Sequence, residues 1–286
     1  MNCELGVYIS GKADPCVIAY AKDLAAKVPG ADVLPITFPL QGRSHTPERL
    51  MLVGGESSIN AVTQHLYERG QVRPVGILPG VGNNVTRSEL IESGATATFD
   101  QFMDRGFKYG ERNLFSPLVF RRMVANNQFG IGRIERAFGF YNEVFKGRPY
   151  GRLRALRSAV DEVEGYESAG FRENILDIYS VVPHIGKLRV FPNQDRLGPD
   201  ITHARIEGGS FKARLSKLYL TLLFWQARMT PPQSILKTER SINHQVKSVP
   251  GEAFIDGSTR PINPKGDFLM RRSRLAIPFV AIVPEG

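Results

Sequence analysis

Leu52-Val53-Gly54-Gly55-Glu56-Ser57-Ser58-Ile59-Asn60-Ala61-Val62 is followed closely by Val75-Gly76-Ile77-Leu78-Pro79-Gly80-Val81-Gly82-Asn83-Asn84. Each stretch reads as a buried strand running into a tight polar turn, and the first turn opens at once into a helix. Two such strand ends place backbone N–H groups side by side, a natural seat for phosphates. The same residues also serve as sharp turns in an α/β sheet, and the local sequence leaves both readings open.

Working outward, Leu5 to Ile9 is a strand candidate ending in Ser10-Gly11-Lys12. A helix is expected from Pro15, capped by Asp14, with Val17, Ile18, Ala21, Leu24 and Ala25 on one face. Ala31 to Phe38 reads as a second strand, at an edge because of Pro35, and Leu50 to Val53 as a third. Ile59, Val62 and Leu66 form the apolar stripe of the helix after the first turn, and His65 beside them reads as a packed helix residue. This alternation over roughly the first 90 residues predicts a parallel, helix-covered sheet with its ligand site at the carboxyl ends of the strands. After Gly94 the pattern changes. Short β-prone runs separated by Gly, Pro and Asn, among them Ile175 to Val182, His203 to Ile206, Ala253 to Ile255 and Ile277 to Val283, predict an antiparallel sheet or sandwich. The expected division is an α/β domain over 1–95 and a β-rich substrate domain over 96–286.

The bulk properties narrow the class. A chain of 286 residues favours two domains, and 42% hydrophobic with 23% charged residues is ordinary for a folded protein. Cys3 and Cys16 give neither a disulfide framework nor a zinc site. Met1-Asn2-Cys3-Glu4 has no basic region before an apolar run, and Leu218 to Trp225 is too short to span a bilayer, so a cytoplasmic location is expected. The net charge of +9 is concentrated between Asp104 and Arg157. There, twelve basic residues (Arg105, Lys108, Arg112, Arg121, Arg122, Arg133, Arg136, Lys146, Arg148, Arg152, Arg154 and Arg157) face four acidic ones (Asp104, Glu111, Glu135 and Glu143), leaving +8. Such a segment suits an anionic membrane surface or a polyphosphorylated ligand, or is simply a solvated face. Nucleic acid is disfavoured, because no helix-turn-helix, zinc-finger or RNA-recognition pattern accompanies the charge.

Taken together, these motifs resemble the diacylglycerol kinase catalytic-domain family, which includes bacterial lipid kinases and sphingosine kinases, with NAD kinases more distant. The family's strand ending Gly-Gly-Asp-Gly-Thr, then apolar-Asn-Glu-Val, is matched by Gly54, Gly55, Ile59, Asn60 and Val62. Glu56, Ser57 and Ser58 replace its Asp, third Gly and Thr, and Ala61 its Glu. Pro79-Gly80-Val81-Gly82-Asn83-Asn84 is similar to the second hallmark, Pro-x-Gly-Thr-x-Asn-Asp, shortened by one residue, without the Thr and with Asn84 for the last Asp. Phe254-Ile255-Asp256-Gly257-Ser258 is similar to the late Asp-Gly-Glu signature with Ser258 for Glu, and Ser10 and Gly11 remain of the first loop. The resemblance implies a small α/β nucleotide-binding domain of the NAD kinase/diacylglycerol kinase type followed by an antiparallel β-sandwich, with the turns at Ser10, Gly54 and Gly80 facing the second domain.

What the resemblance implies for chemistry is ATP- and Mg2+-dependent transfer of a phosphoryl group to a hydroxyl of a lipid such as diacylglycerol. Ser10, Gly11, Thr37, Gly54, Gly55, Glu56, Ser57, Ser58, Gly80, Gly82, Asn83 and Asn84 would then hold the nucleotide, with no metal ligand assigned. Ser57, in a third-Gly position, adds strain if that position needs a positive φ. Asp256 would be the general base, whereas from local sequence Asp256-Gly257 is an exposed type I′ hairpin turn. Lys12 reads as a surface residue, the five histidines show no metal-site spacing, and Gly130-Ile131-Gly132 is too short for a dinucleotide fingerprint. Two other outcomes stay open: a diverged non-kinase on the same scaffold that binds or converts another small molecule, and a soluble-substrate kinase related to NAD kinases. Asn84 makes the latter less attractive.

Overall fold

The computed structural model describes residues 5–37, 40, 46–79, 84–130, 151, 154, 176–185, 188–189, 191, 194, 196–246, 251–256, 258–262 and 267–284. The chain divides into two compact units, one made of Met1–Asn126 with Ser273–Gly286 and the other of Asn127–Arg272.

The first unit is built on a parallel sheet. Its strands β1 (Leu5–Ile9), β2 (Asp32–Pro35), β3 (Arg49–Val53), β4 (Val75–Leu78), β5 (Thr96–Ala97) and β19 (Ile277–Ile282) lie in the order β2-β1-β3-β4-β19-β5. Pro35 closes β2 at the edge, where its missing N–H costs nothing. β3, β4 and β19 are buried along their whole length, as strands covered on both faces must be. Helix α1 (Pro15–Ala26) starts at Asp14, whose carboxylate accepts from the Cys16 N–H at 2.8 Å, and it buries Ala21, Leu24 and Ala25 against Leu5, Val7, Met51 and Val53. Helices α2 (Glu56–Glu68) and α3 (Val85–Glu92) follow β3 and β4. Helix α4 (Phe99–Met103) begins in a capping box of Thr98 and Gln101. At its other end the buried Arg49 guanidinium donates to the carbonyls of Phe102 (2.8 Å) and Asp104 (3.0 Å).

Two sequence expectations are corrected here. Ile277 to Val283 is not an antiparallel strand of the second domain, because β19 runs parallel between β4 and β5. Its six consecutive buried residues fit only a strand covered on both faces. The units also do not divide near residue 95. The first unit runs on to Asn126 and takes in three short strands outside the parallel run: β6 (Leu114–Phe115), which pairs antiparallel with β19, and β7 (Leu118–Phe120) and β8 (Met123–Ala125), which pair antiparallel with each other. Helix α2 holds β8 through its side chains: Asn60 donates to the Val124 carbonyl (2.8 Å), while Gln64 accepts from the Val124 N–H (2.9 Å) and donates to the Arg122 carbonyl (2.7 Å).

The second unit is largely antiparallel, as expected. Six strands, β9 (Gln128–Gly130), β10 (Asp177–Ser180), β13 (Ile201–Arg205), β14 (Lys237–Ser241), β16 (Gly251–Ile255) and β17 (Ser258–Ile262), are ordered β14-β13-β10-β9-β16-β17. β11 (His184–Ile185) pairs with β12 (Leu188–Arg189), and β15 (Asn243–Val246) with β18 (Phe268–Arg272). Within the region expected to be β-rich, Phe211–Gln226 is a 16-residue helix, α5, capped by the Ser210 hydroxyl. Among the described residues no helix is long and apolar enough to cross a membrane.

Candidate functional site

Parallel strands deliver all their carboxyl ends to one edge of the sheet, and in the first unit that edge gathers Ser10 after β1, Thr37 after β2, Gly54 after β3 and the residues leading into α3 after β4. Ser10 is tied to the neighbouring strand by its N–H, which donates to the Val53 carbonyl at 2.8 Å. Gly54 is required by packing. A Cβ there would lie 2.5 Å from Ser58 Oγ, 2.6 Å from Ser58 Cβ and 3.3 Å from Ser10 Cβ. The missing side chain lets the chain turn tightly from β3 into α2 with Ser58 folded against it. Gly55 is the N-cap of α2 and supplies no side-chain cap. The first turn of α2 therefore presents its N–H groups at the sheet edge without a capping side chain of its own, and the helix dipole favours an anion there.

The two glycine-rich turns are joined. Asn84 donates from Nδ2 to the Gly54 carbonyl (3.0 Å), while its Oδ1 caps α3 by accepting from the Arg87 N–H (2.8 Å). In return, the Glu56 carboxylate reaches from the start of α2 to the start of α3. It accepts the Thr86 N–H at Oε1 (2.7 Å) and the Thr86 hydroxyl at Oε2 (3.0 Å). One carboxylate thus serves two helix N-termini. Thr86 and Arg87 carried no signal in the sequence reading, because their roles depend on which turn faces which. Arg87 donates from Nη2 to the Ile282 carbonyl at the end of β19 (3.3 Å), and its Nε is buried without a hydrogen-bond partner among the described residues. Burial lowers its guanidinium below the ordinary arginine value.

Ser10, Gly54, Gly55, Glu56, Ser57, Ser58 and Asn84 are thus drawn to one edge, with Gly11 following Ser10 and Thr37 following the edge strand. Gly80, Gly82 and Asn83 lie outside the described residues. The strain expected at Ser57 is absent. Ser57 is the second residue of α2, and the non-glycine residues with positive φ among those described are Arg121, Arg228 and Asp256. Of the basic stretch, Arg105, Lys108, Arg112, Arg121, Arg122 and Arg154 are described and the others are not. Arg105 lies 3.8 Å from Glu48, and Arg112 donates to the Ser93 carbonyl.

Asp256, in the second unit, occupies the turn between β16 and β17, where Ile255 pairs with Ser258 and Asp256 takes a φ of +44°. That is a two-residue hairpin, as the local reading had it. It is not exposed: the residue is 1% accessible. Oδ1 accepts the N–H groups of Asn127 (2.8 Å) and Gln128 (3.0 Å), fastening the hairpin to the start of β9. Burial lowers the nearby Arg260 guanidinium, and the Asp256 charge opposes that shift.

The same unit brings together side chains that their spacing in the sequence did not connect. His203 Nε2 lies 2.6 Å from Asp177 Oδ1, and the His203 ring stacks on Tyr179 at 4.1 Å. His244 packs edge-on to both and donates from Nε2 to the Ile201 carbonyl (2.9 Å). Burial holds the His244 imidazole below its ordinary value and, with the Asp177 charge, pushes the Tyr179 hydroxyl far up. No group of three or more His, Cys, Asp or Glu placed to hold a metal ion occurs among the described residues.

The first unit is thus a parallel α/β sheet that takes in β19, and the second is largely antiparallel. No known family model and no curated protein sequence matches the chain. Solved structures do. A "putative diacylglycerol kinase" from Bacillus anthracis str. Sterne matches with a TM-score of 0.64 at 11% identity, covering 96% of this chain and 97% of that one. A second structure so described from the same organism gives a TM-score of 0.60 at 11% identity, and a structure described as a diacylglycerol kinase gives 0.57 at 10%, each covering 96% of both chains. At these identities the likeness is one of fold, and it spans nearly the whole chain.

Proposed function

We propose that this chain is a phosphotransferase that uses ATP and Mg2+ to phosphorylate a hydroxyl of a lipid such as diacylglycerol. The observation that carries the proposal is the joined pair of strand-to-helix turns at the carboxyl edge of the parallel sheet. They supply an uncapped helix N-terminus at Gly55 and a buried guanidinium with an unpartnered Nε at Arg87.

These residues fit a phosphate group. The first turn of α2 offers backbone donors and a favourable dipole, and Arg87 offers charge. Ser10, Ser57 and Ser58 add hydroxyls at the same edge, and Asn84 fixes the relation of the two turns. Magnesium is served less well by this chain alone: both Glu56 oxygens are engaged by Thr86, and the ion would take most of its oxygens from the phosphates and water. When bound, the nucleotide and its ion supply the transferable group. The chain's own residues then hold the polyphosphate and exclude alternative orientations. In this reading Asp256 accepts the hydroxyl proton, a role that requires its carboxylate to turn from the Asn127 and Gln128 amides toward substrate.

The non-kinase alternative has its own support. Glu56 sets a negative charge at both helix N-termini, against an incoming phosphate, and Asp256 is committed to backbone donors. Calorimetric titration of ATP with and without Mg2+, followed by phosphate transfer from labelled ATP to diacylglycerol vesicles, separates the two. Magnesium-dependent ATP binding with labelled lipid product supports the kinase. Absence of nucleotide binding in both titrations leaves the repurposed scaffold.

A further inference from the structure

Helix α5 is arranged opposite to what water demands. At 3.6 residues per turn, Lys212, Ser216, Tyr219, Leu220, Leu223 and Ala227 fall within an arc of about 100° on one side. All six are exposed, with Tyr219 60%, Leu220 41% and Leu223 42% accessible. Leu218, Thr221 and Trp225 lie on the opposite side and are buried. A solvated helix places charge outward and apolar residues inward. Here the outward arc carries a tyrosine and two leucines, and its single charge is Lys212. The patch continues past the helix end, where Arg228 turns the chain with a φ of +56° and leaves Met229 56% accessible. From Gly208 to Thr238 the sequence contains no Asp or Glu, while Lys212, Arg214, Lys217, Arg228 and Lys237 are basic.

We infer that the outward face of α5 docks on an anionic phospholipid surface, with Tyr219, Leu220, Leu223 and Met229 entering the headgroup and acyl boundary and Lys212 and Arg228 at its two ends meeting the lipid phosphates. Charge complementarity selects this occupant. An apolar stripe with cationic ends and no acidic residue matches an interface that is apolar beneath and negative at its surface. A second copy fits poorly, since a two-fold antiparallel stacking of this helix sets Lys212 of one chain toward Arg228 of the other. The inference places a membrane contact on an element other than the 105–157 segment. It stands whether or not the first unit binds nucleotide, because docking needs no phosphoryl transfer.

The test is co-sedimentation of the full chain, without nucleotide, with vesicles of equal parts phosphatidylglycerol and phosphatidylcholine and with vesicles of phosphatidylcholine alone. The anionic vesicles should bind at least about tenfold more tightly, with the difference shrinking as salt rises. Leu220→Ser with Leu223→Ser should weaken that binding about tenfold or more while the protein stays folded with a modestly lower melting temperature, and Leu220→Ala with Leu223→Ala, which keeps helix propensity, should weaken it in the same direction. A Tyr219→Trp variant should shift its emission to the blue on adding anionic vesicles. Equal binding by wild type and the double-serine variant, or no binding to anionic vesicles, overturns the inference. So does a double-serine variant that changes the oligomeric state in light scattering but not vesicle binding, which assigns the face to a second copy.

Discussion

Replacing Glu56 with Gln isolates the charge that joins the two turns. The carboxylate accepts two hydrogen bonds from Thr86, at 2.7 and 3.0 Å. Bonds to a charged group contribute about 1 kcal/mol more than neutral ones, and a carboxylate at a helix N-terminus adds about 0.3–1 kcal/mol. These contributions overlap, so the expected loss is about 2 kcal/mol, or about 3 °C in melting temperature at this chain length. For anion binding the same substitution acts in the opposite direction. A unit charge about 6 Å from a phosphate costs roughly 0.7 kcal/mol in bulk water and roughly 2.8 at an effective dielectric constant of 20. Its removal should tighten metal-free ATP about tenfold, which is about 1.4 kcal/mol. Scanning calorimetry reads the first effect, and isothermal titration in a chelator the second. If Glu56 instead holds Mg2+, the variant should bind MgATP more weakly than wild type. An unchanged melting temperature would refute the Glu56–Thr86 link, and unchanged affinity for metal-free ATP would refute a phosphate seat beside Glu56.

Gly54→Ala drives a Cβ to 2.5 Å from Ser58 Oγ and should cost about 1–3 kcal/mol in thermal denaturation, with partial recovery on adding Ser58→Gly. Asp256→Asn removes the charge from a buried acceptor of two N–H groups and should lower stability by about 1–3 kcal/mol in denaturant titration. Asp256→Ala should cost more, because a φ of +44° suits Asn and disfavours Ala. Burial holds His65 and His244 below the ordinary histidine value of 6.5 in the folded state, so the unfolded chain takes up protons first as pH falls. Their contribution is complete above about 6.5 and is lost below it, with stability dropping by at most about 1.4 kcal/mol per pH unit for each. Melting curves from pH 7.5 down to about 5 should show this fall, and His65→Gln with His244→Gln should flatten it.

How much of this was legible depended on whether a feature is local. The helix start at Asp14-Pro15, the edge strand marked by Pro35 and the turn of Gly54 and Gly55 are encoded by residues within a few positions of one another, and each lies where the sequence put it. The Asp256-Gly257 hairpin was legible for the same reason. Its burial was not, because the partners are Asn127 and Gln128, far away along the chain. β19 was misassigned because a short apolar run reads alike in a parallel and an antiparallel sheet, and only closure beside β4 distinguishes them. Helix α5 was missed because its outward leucines erase the periodicity that announces a helix.

The departures at Glu56 and Asn84 form one compensated unit. The resemblance has Asp at both places. An Asp at position 56 is shorter by a methylene, whereas Glu56 spans to the N–H and hydroxyl of Thr86. An Asp at position 84 has no proton for the Gly54 carbonyl, whereas Asn84 gives one and still caps α3 with its oxygen. With Glu56 already placing a negative charge at the start of α3, a second carboxylate at 84 would set two like charges at one helix N-terminus. The neutral amide avoids that and keeps both turns joined. The same exchange leaves Arg87 as a positive group near this edge, its Nε unpartnered among the described residues and its side chain anchored by the Ile282 carbonyl. A phosphate entering here therefore meets a carboxylate already neutralised in part by Thr86 and the two helix dipoles, together with a guanidinium that gains its missing partner. On that balance, the altered hallmark residues are compatible with a phosphate seat whose charge is supplied by Arg87.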